Sequence, residues 1–283
     1  MKVKILVTGA DGQLGQTIKA LFEKNVAIDF IFVSKADLDI TNKMQINSFL
    51  SDNKFNYVVN CAAFTNVVQA EKTPEIAFKV NAEGVKNIAE ACHKANVTLI
   101  HISTDYVFDG EKNEPYTIDD VPNPINKYGA SKLLGEQYIQ NISQKYFIIR
   151  TSWLYSNYEH NFFKTIINKI KLKEELKITT AQTGTPTSCL ELSKFIFFLI
   201  KTHQENFGIY HFSALGEATW YDFAKQISKH YQYAHIQPIF KTNDVTSKVN
   251  RPKYSVLDNQ KAKLLMGTIK TWEQALKEEL QAI

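Results

Sequence analysis

The chain has 283 residues, 44% of them hydrophobic and 22% charged. That length gives one large or two small domains with a sizeable core, and the composition excludes a disordered, collagen-like or long coiled-coil chain. Thirty-three Lys and Arg against 29 Asp and Glu leave a formal charge of +4, which with no dense basic block is weak support for nucleic acid and fits an anionic small molecule equally well.

In chain order, short β-branched runs alternate with longer amphipathic ones. Val3–Thr8 predicts a buried strand and residues 14–22 a helix. Residues 30–33 predict a second strand, 41–50 a helix capped by Thr41 or Asn42, and Tyr57–Asn60 a third strand. Residues 74–95 carry one long helical pattern, 97–102 a fourth strand, 126–142 a helix and Tyr146–Thr151 a fifth strand. This is the rhythm of βαβ units, hence an α/β fold with a doubly wound, Rossmann-type parallel sheet. Beyond Thr151 the rhythm changes: a helix over 160–172, a short strand at 176–178, and helices after Ser188, over 220–231 and over 271–280. A dinucleotide-binding domain over 1–150 and a smaller substrate-binding part over 151–283 are expected, with some later segments packing back on the first.

Cys61, Cys92 and Cys189 are widely spaced with no C-x-x-C, so neither a disulfide framework nor a zinc site is expected, and a reducing cytoplasm is the default. The apolar run Phe195-Ile196-Phe197-Phe198-Leu199-Ile200 is far from the ~20 residues a membrane span needs. The N-terminal apolar run is too short for a signal peptide.

The first strand runs into Gly9-Ala10-Asp11-Gly12-Gln13-Leu14-Gly15, a G-x-x-G-x-x-G spacing set between strand and helix. Glycines there permit a tight turn and close backbone approach to a pyrophosphate, and the helix start offers free N–H groups. A turn that uses glycine for shape alone is the plainer alternative; the βαβ setting favours the phosphate cradle. An acid at the end of the second strand would bind a ribose 2′-hydroxyl. Here Val33-Ser34-Lys35 has none, and Ser34 and Lys35 suit a 2′-phosphate. The reading leans to NADPH, with Asp37 and Asp39 leaving NADH open.

Tyr128 and Lys132 stand four apart on a predicted helix, hence on one face. Alone, such a pair means little. It gains weight from Ser103-Thr104-Asp105-Tyr106 at the end of the fourth strand, where ligands of such sheets bind. Together they make a proton-transfer set: Thr104 holds a carbonyl, Tyr128 protonates it, and the charge of Lys132 lowers the pKa of Tyr128.

With these motifs the chain resembles an extended short-chain dehydrogenase/reductase acting on nucleotide sugars. Further segments narrow the resemblance: Gly12-Gln13-Leu14-Gly15, Ser103-Thr104-Asp105-Tyr106-Val107-Phe108-Asp109-Gly110, Arg150-Thr151-Ser152-Trp153-Leu154-Tyr155, Gln182-Thr183-Gly184-Thr185-Pro186-Thr187 and Arg251-Pro252 fall in order over nearly the whole chain. They look like the dTDP-4-dehydrorhamnose reductase family. The resemblance implies reduction of the C4 ketone of dTDP-6-deoxy-L-lyxo-4-hexulose to dTDP-L-rhamnose. It implies that Gly9, Ala10, Asp11, Gly12, Gln13, Leu14 and Gly15 form the pyrophosphate loop, and that Asp39 and Ile40 flank the adenine end. Ala62, Ala63, Thr65 and Ser103 would follow along the cofactor, Thr104, Asp105 and Trp153 would meet the sugar, and Arg251 the diphosphate. Each has a plainer reading: Trp153 as a core aromatic, Trp220 to Phe223 as packing and a helix start, Arg251 as a surface turn.

Two departures stand out. Val68 sits where family members often carry Asp, so a local hydrogen bond is expected to be absent. Gln16-Thr17-Ile18 lacks the acid through which some members form a metal-bridged dimer. No metal is therefore expected, and a monomer over such a dimer. Asp105 is followed by Tyr106 rather than Glu, which argues against a 4,6-dehydratase. The remaining rivals are another nucleotide-sugar 4-ketoreductase and a non-catalytic NADP-binding subunit resembling the regulatory subunit of methionine adenosyltransferase.

Overall fold

The structure, a computed structural model, describes residues 2–239 and 249–283. Five strands follow the predicted order: β1 (Val3–Thr8), β2 (Ile28–Val33), β3 (Tyr57–Asn60), β4 (Thr98–Thr104) and β5 (Tyr146–Thr151). A sixth, β6 (Gly208–His211), arrives from the later half, and the sheet runs β6-β5-β4-β3-β1-β2 with every pair parallel. The order reverses between β1 and β3, the kind of switch point at whose carboxyl edge open α/β sheets bind ligands.

Alternation along the strands divides the core. Leu6, Val58, Leu99 and Ile148 face α2 (Lys43–Asp52), α3 (Val85–Ala95) and α4 (Lys127–Ile142). Ile5, Val7, Val59, Ile100, Phe147 and Ile149 face α1 (Gln13–Phe22) and α5 (Cys189–Lys201). Both faces are covered, so the strands read as near-continuous apolar runs. The Phe195 to Ile200 stretch lies in α5, with Phe195, Ile196, Leu199 and Ile200 in this core, and no helix among the described residues is long and apolar enough to cross a membrane.

The helical pattern over 74–95 is one path with a fault in it. Pro74–Phe78 and α3 are joined by a π-helical turn, Lys79–Gly84, which buries Asn81. Apolar periodicity does not reveal such a turn, which often marks a functional region. A short helix, Val67–Lys72, carries Val68 and was not expected from sequence. Asn42 is the cap of α2, accepting from the Gln45 amide.

A second core gathers Tyr155, Phe163, Phe223, Trp272 and Leu276 among the helices Phe162–Lys171, Trp220–His230 and Trp272–Gln281. Two pieces of the later half leave this lobe: α5 packs on α1, and β6 pairs with β5.

Candidate active site

The loops leaving the carboxyl ends of β1, β3, β4 and β5 converge because the strands end nearly in register: Thr8 pairs with Asn60, Asn60 with His101, and Thr104 with Thr151. The glycine loop is built to approach β3. Gly9 has φ +65°, and a Cβ there would lie 2.6 Å from the Ala62 nitrogen; a Cβ on Gly15 would lie 2.5 Å from the Gly9 carbonyl oxygen. Those two glycines serve the loop's own closeness. Gly12 is different: its Cβ would meet only the Gly9 oxygen, at 3.3 Å.

Gly12 also caps α1, with no side chain accepting from the helix start, whereas Asn42, Asn126 and Ser188 accept at the starts of α2, α4 and α5. The first N–H groups of α1 thus remain available to an anion. Ala10 donates to the Val33 carbonyl at 3.1 Å, and Asp11 is exposed. Leu14 is buried in the core. The Gln13 amide is committed to the later half, donating to the Leu154 carbonyl at 3.3 Å and accepting from Asn161 at 3.4 Å.

At the end of β2, Ser34 has a partner within the chain. The Ser34 hydroxyl donates to Asp37 Oδ2 at 2.7 Å and the Ser34 amide donates to the same oxygen at 2.8 Å. These bonds hold the Asp37 carboxyl below its ordinary pKa. Ser34 is therefore paired with a carboxylate, a charge of the same sign as a 2′-phosphate, and Lys35 is exposed beside it. Asp39 Oδ1 accepts from the Thr41 amide and hydroxyl, both at 2.9 Å. The Ile40 side chain is buried against Gly84.

The loop after β3 is pinned by the π turn. Asn81 accepts from the Phe64 amide at 2.8 Å, and its Nδ2 reaches the Phe64 carbonyl at 2.9 Å and the Ser131 hydroxyl at 3.0 Å. Ala62 and Ala63 are thereby fixed between β3 and α4, while Thr65 is exposed.

Thr104 ends β4. Its hydroxyl donates to Asp105 Oδ1 at 3.0 Å and accepts from the Tyr106 amide at 3.2 Å. It lies near enough to the Tyr128 phenol to lower its pKa. What brings Tyr128 there is Gly129, where a Cβ would sit 2.0 Å from the Tyr106 carbonyl oxygen. No larger residue lets α4 come so close to the turn after β4. Burial pushes the Tyr128 phenol up to about 12, opposed by the Thr104 hydroxyl and reinforced by Asp105. Lys132, fully buried, donates to the Ile102 carbonyl at 2.6 Å and lies 3.3 Å from His101 Nε2. Burial pushes its ammonium down to about 8, with Glu136 opposing. The expectation that Lys132 lowers the Tyr128 pKa is thus not met in this geometry, since the phenol is shifted upward and its counterweight is Thr104. Ser103 turns to the other side of the strand and donates to Glu136, which pairs with the buried Arg150 at 2.7 Å.

Asp105 is buried, and burial pushes its carboxyl up to about 6, against the opposing pull of the nearby Ser255 and Thr104 side chains. Its Oδ2 and the Arg251 Nε are buried without a hydrogen-bond partner among the described residues. Unpaired buried polar atoms are costly, and two at one edge mark where a polar ligand belongs. Arg251 is delivered there by backbone pairing: Thr183 donates to the Lys253 carbonyl at 2.7 Å, and Ser255 to the Thr183 carbonyl at 2.8 Å. Its charge is felt at Tyr106.

Trp153 has φ +45°, and its ring leaves no room for a Cβ on Gly184. It stacks on Trp220, centroids 3.7 Å apart and planes within 6°. Trp220 Nε1 donates to Gln182 at 2.8 Å. The helix start read at Trp220 is present, with Thr219 and Asp222 forming a capping box, yet the Trp220 ring also joins Trp153.

Sequence reasoning missed Gly129, Glu136, Trp220's ring, and the pair Asn60 and His101. The last two had a signal: polar residues two positions after Val58 and Leu99 on a face that is otherwise apolar. Thr17, where a bridging acid would stand, is buried and donates to the Gln13 carbonyl at 2.7 Å. No group of three or more His, Cys, Asp or Glu that could hold a metal occurs among the described residues.

The family model described as "RmlD substrate binding domain" matches residues 3–283. A dTDP-4-dehydrorhamnose reductase of Aggregatibacter actinomycetemcomitans is 35% identical, over 97% of each chain. Among solved structures, the dTDP-4-dehydrorhamnose reductase of Bacillus anthracis in complex with NADP superposes with a TM-score of 0.96 at 37% identity, covering 100% of both chains. The corresponding protein of Clostridium acetobutylicum superposes with a TM-score of 0.93 at 40% identity over 99% of each.

Proposed function

We infer the reaction from one premise: the chain belongs to the RmlD substrate binding domain family. It is an oxidoreductase that uses NADPH, with NADH as a second donor, to reduce the C4 ketone of dTDP-6-deoxy-L-lyxo-4-hexulose to dTDP-L-rhamnose. The observation that carries this reading is Thr104 and Tyr128 set together beside buried Asp105, with its unpaired oxygen, at the carboxyl edge of the sheet. The residues fit the cofactor: an uncapped start of α1 behind Gly12 suits a pyrophosphate, and the loop from Ala62 to Thr65 borders the switch point.

The cofactor supplies a hydride. The chain's own groups manage the rest. Thr104 orients the carbonyl oxygen, and the Tyr128 phenol gives its proton to that oxygen as negative charge develops there. Lys132 holds a positive charge behind the site. Arg251 offers a planar fork to the nucleotide diphosphate, its unpaired Nε supporting the role. Asp105 accepts a sugar hydroxyl with its free oxygen, and the Trp153–Trp220 stack gives the sugar an apolar floor. Residues 1–150 carry the cofactor and, through Thr104, Asp105 and Tyr128, the reacting end of the sugar, and 151–283 supply the rest of the sugar site, apart from α5 and β6, which support the first. We propose a metal-independent monomer in the cytoplasm.

The test is loss of reduced-nicotinamide absorbance when the purified protein meets the keto sugar, generated in situ from dTDP-glucose by the two preceding enzymes, in the presence of EDTA. Turnover to dTDP-L-rhamnose is expected. Tight NADPH binding without oxidation would replace this reading with a regulatory one.

A further inference from the structure

One row of the sheet breaks its own pattern. Leu6, Val58 and Leu99 face the helices α2 to α4, and two residues further along the same face stand Thr8, Asn60 and His101, each at most 1% exposed. They lie side by side across β1, β3 and β4. A hydrogen-bond chain joins them: Thr8 Oγ1 donates to Asn60 Oδ1 at 2.6 Å, Asn60 Nδ2 meets His101 Nδ1 at 3.0 Å, and His101 Nε2 meets Lys132 Nζ at 3.3 Å.

The polarity of this chain is fixed from one end. The Ala62 amide can only donate, and it donates to Asn60 Oδ1 at 3.2 Å, so the Asn60 amide nitrogen must face the imidazole. That nitrogen can only donate. His101 Nδ1 therefore accepts, the ring is neutral, and its one proton sits on Nε2, pointing at Lys132. An ammonium has no lone pair to receive that proton, whereas an amine has one. We propose that His101 is a positioning residue for Lys132: anchored by Asn60 and Thr8, it turns a donor toward the amine nitrogen and so favours the uncharged form of a group that Glu136 and the proposed reaction favour charged.

The proposal rests on the reading of Lys132 given above. The titratable groups that face Lys132 are His101 from β4, Glu136 from its own helix and Cys61 just after β3. Burial already pushes Lys132 down to about 8, and the same burial together with the Lys132 charge keeps His101 far below its usual range. The donor contact adds to this in the same direction. Lys132 then exchanges its proton near neutral pH, and reduction falls off on the alkaline side as Lys132 loses its charge.

Two measurements test this. In the 15N spectrum of histidine-labelled protein without ligands, the His101 ring is expected to show a protonated Nε2 and a bare Nδ1, and to stay neutral well below the pH at which an exposed histidine titrates. A protonated Nδ1, or an imidazolium near neutrality, would overturn the proposal whether or not the protein reduces the sugar. In the kcat/KM profile, His101→Phe keeps a buried ring but removes the donor, and the alkaline limb is expected to move up by about one pH unit. His101→Gln, whose amide nitrogen still donates, is expected to leave the limb within about 0.3 unit of the wild type. A limb unmoved in His101→Phe, or moved equally in both variants, would reduce His101 to packing. Should wild-type protein fail to reduce the keto sugar, the function falls and the ring-nitrogen spectrum still decides this inference.

Discussion

The two edges of the site are made of different materials. The cofactor edge is backbone: Gly9 against Ala62, Gly15 against the Gly9 carbonyl, and an α1 start left bare by Gly12. The proposed sugar edge is side chains drawn from separate stretches: Asp105, Trp153, Trp220 and Arg251, placed by Gly184, Gln182 and the strand-like pairing of Thr183 with Ser255. A backbone edge tolerates many side chains but almost no added carbon. A side-chain edge can be retuned residue by residue, so changes of substrate within such a scaffold belong there.

The largest expected effect falls where the edges meet. Tyr128→Phe keeps the ring and deletes the proton, and kcat is expected to drop roughly 10²–10⁴-fold with NADPH affinity unchanged; single-turnover oxidation checks it, and a rate within about threefold of wild type would remove Tyr128 from the chemistry. Next is a pH effect on stability. Asp105 has its carboxyl raised from 3.8 to about 6, so the folded state binds a proton more tightly than the unfolded one. The stabilising contribution of Asp105 is then fully present below about pH 4 and is lost as pH rises through about 6, by up to about 3 kcal/mol. Asp105→Asn should flatten that slope in denaturant melts at stepped pH.

Gly9→Ala probes the backbone edge: overpacking against Ala62, with strain at φ +65°, is expected to cost about 1–3 kcal/mol and to weaken NADPH binding, both seen in thermal shifts with and without cofactor. Trp220→Ala probes the other edge. Loss of a stacked pair is worth about 0.5–1.5 kcal/mol, so KM for the keto sugar should rise several-fold while NADPH affinity stays put; a fall in NADPH affinity instead would erase the distinction between edges. The smallest effect concerns Asp37. Exposed charges interact weakly through water, so Asp37→Ala should raise the NADPH-to-NADH ratio of kcat/KM by a factor of a few, and an unchanged ratio would show that Asp37 does not face the 2′-phosphate.

The same division explains what could be read from sequence. The strands β1 to β5 and the glycine loop are local patterns, visible as apolar runs and spacings within a few residues. Tyr128 and Lys132 share a helix face, and Thr104 ends a strand, so they too were legible. What was not legible depends on distance along the chain. Gly129 matters because of the Tyr106 carbonyl, Trp220 because of Trp153, and Ser34 because Asp37 turns back on it. The π turn at Lys79–Gly84 leaves the apolar pattern intact and so left no trace. The role expected of Lys132 toward Tyr128 failed for a related reason: helical spacing sets which face a residue occupies, while the Ile102 carbonyl and His101 set where its ammonium goes.

The pairing of β6 with β5 has a consequence for how the protein is made. A ribosome delivers β5 more than fifty residues before β6, so for that interval the growing chain presents β5 as an open edge, a ready template for another strand. Final closure of the sheet waits for contacts that are distant in sequence, which slows folding. It also means that the cofactor half is no detachable module. A fragment ending at residue 151 would carry the whole glycine loop and Tyr128, yet leave one edge of β5 open and the buried Arg150 without the His211 that neighbours it.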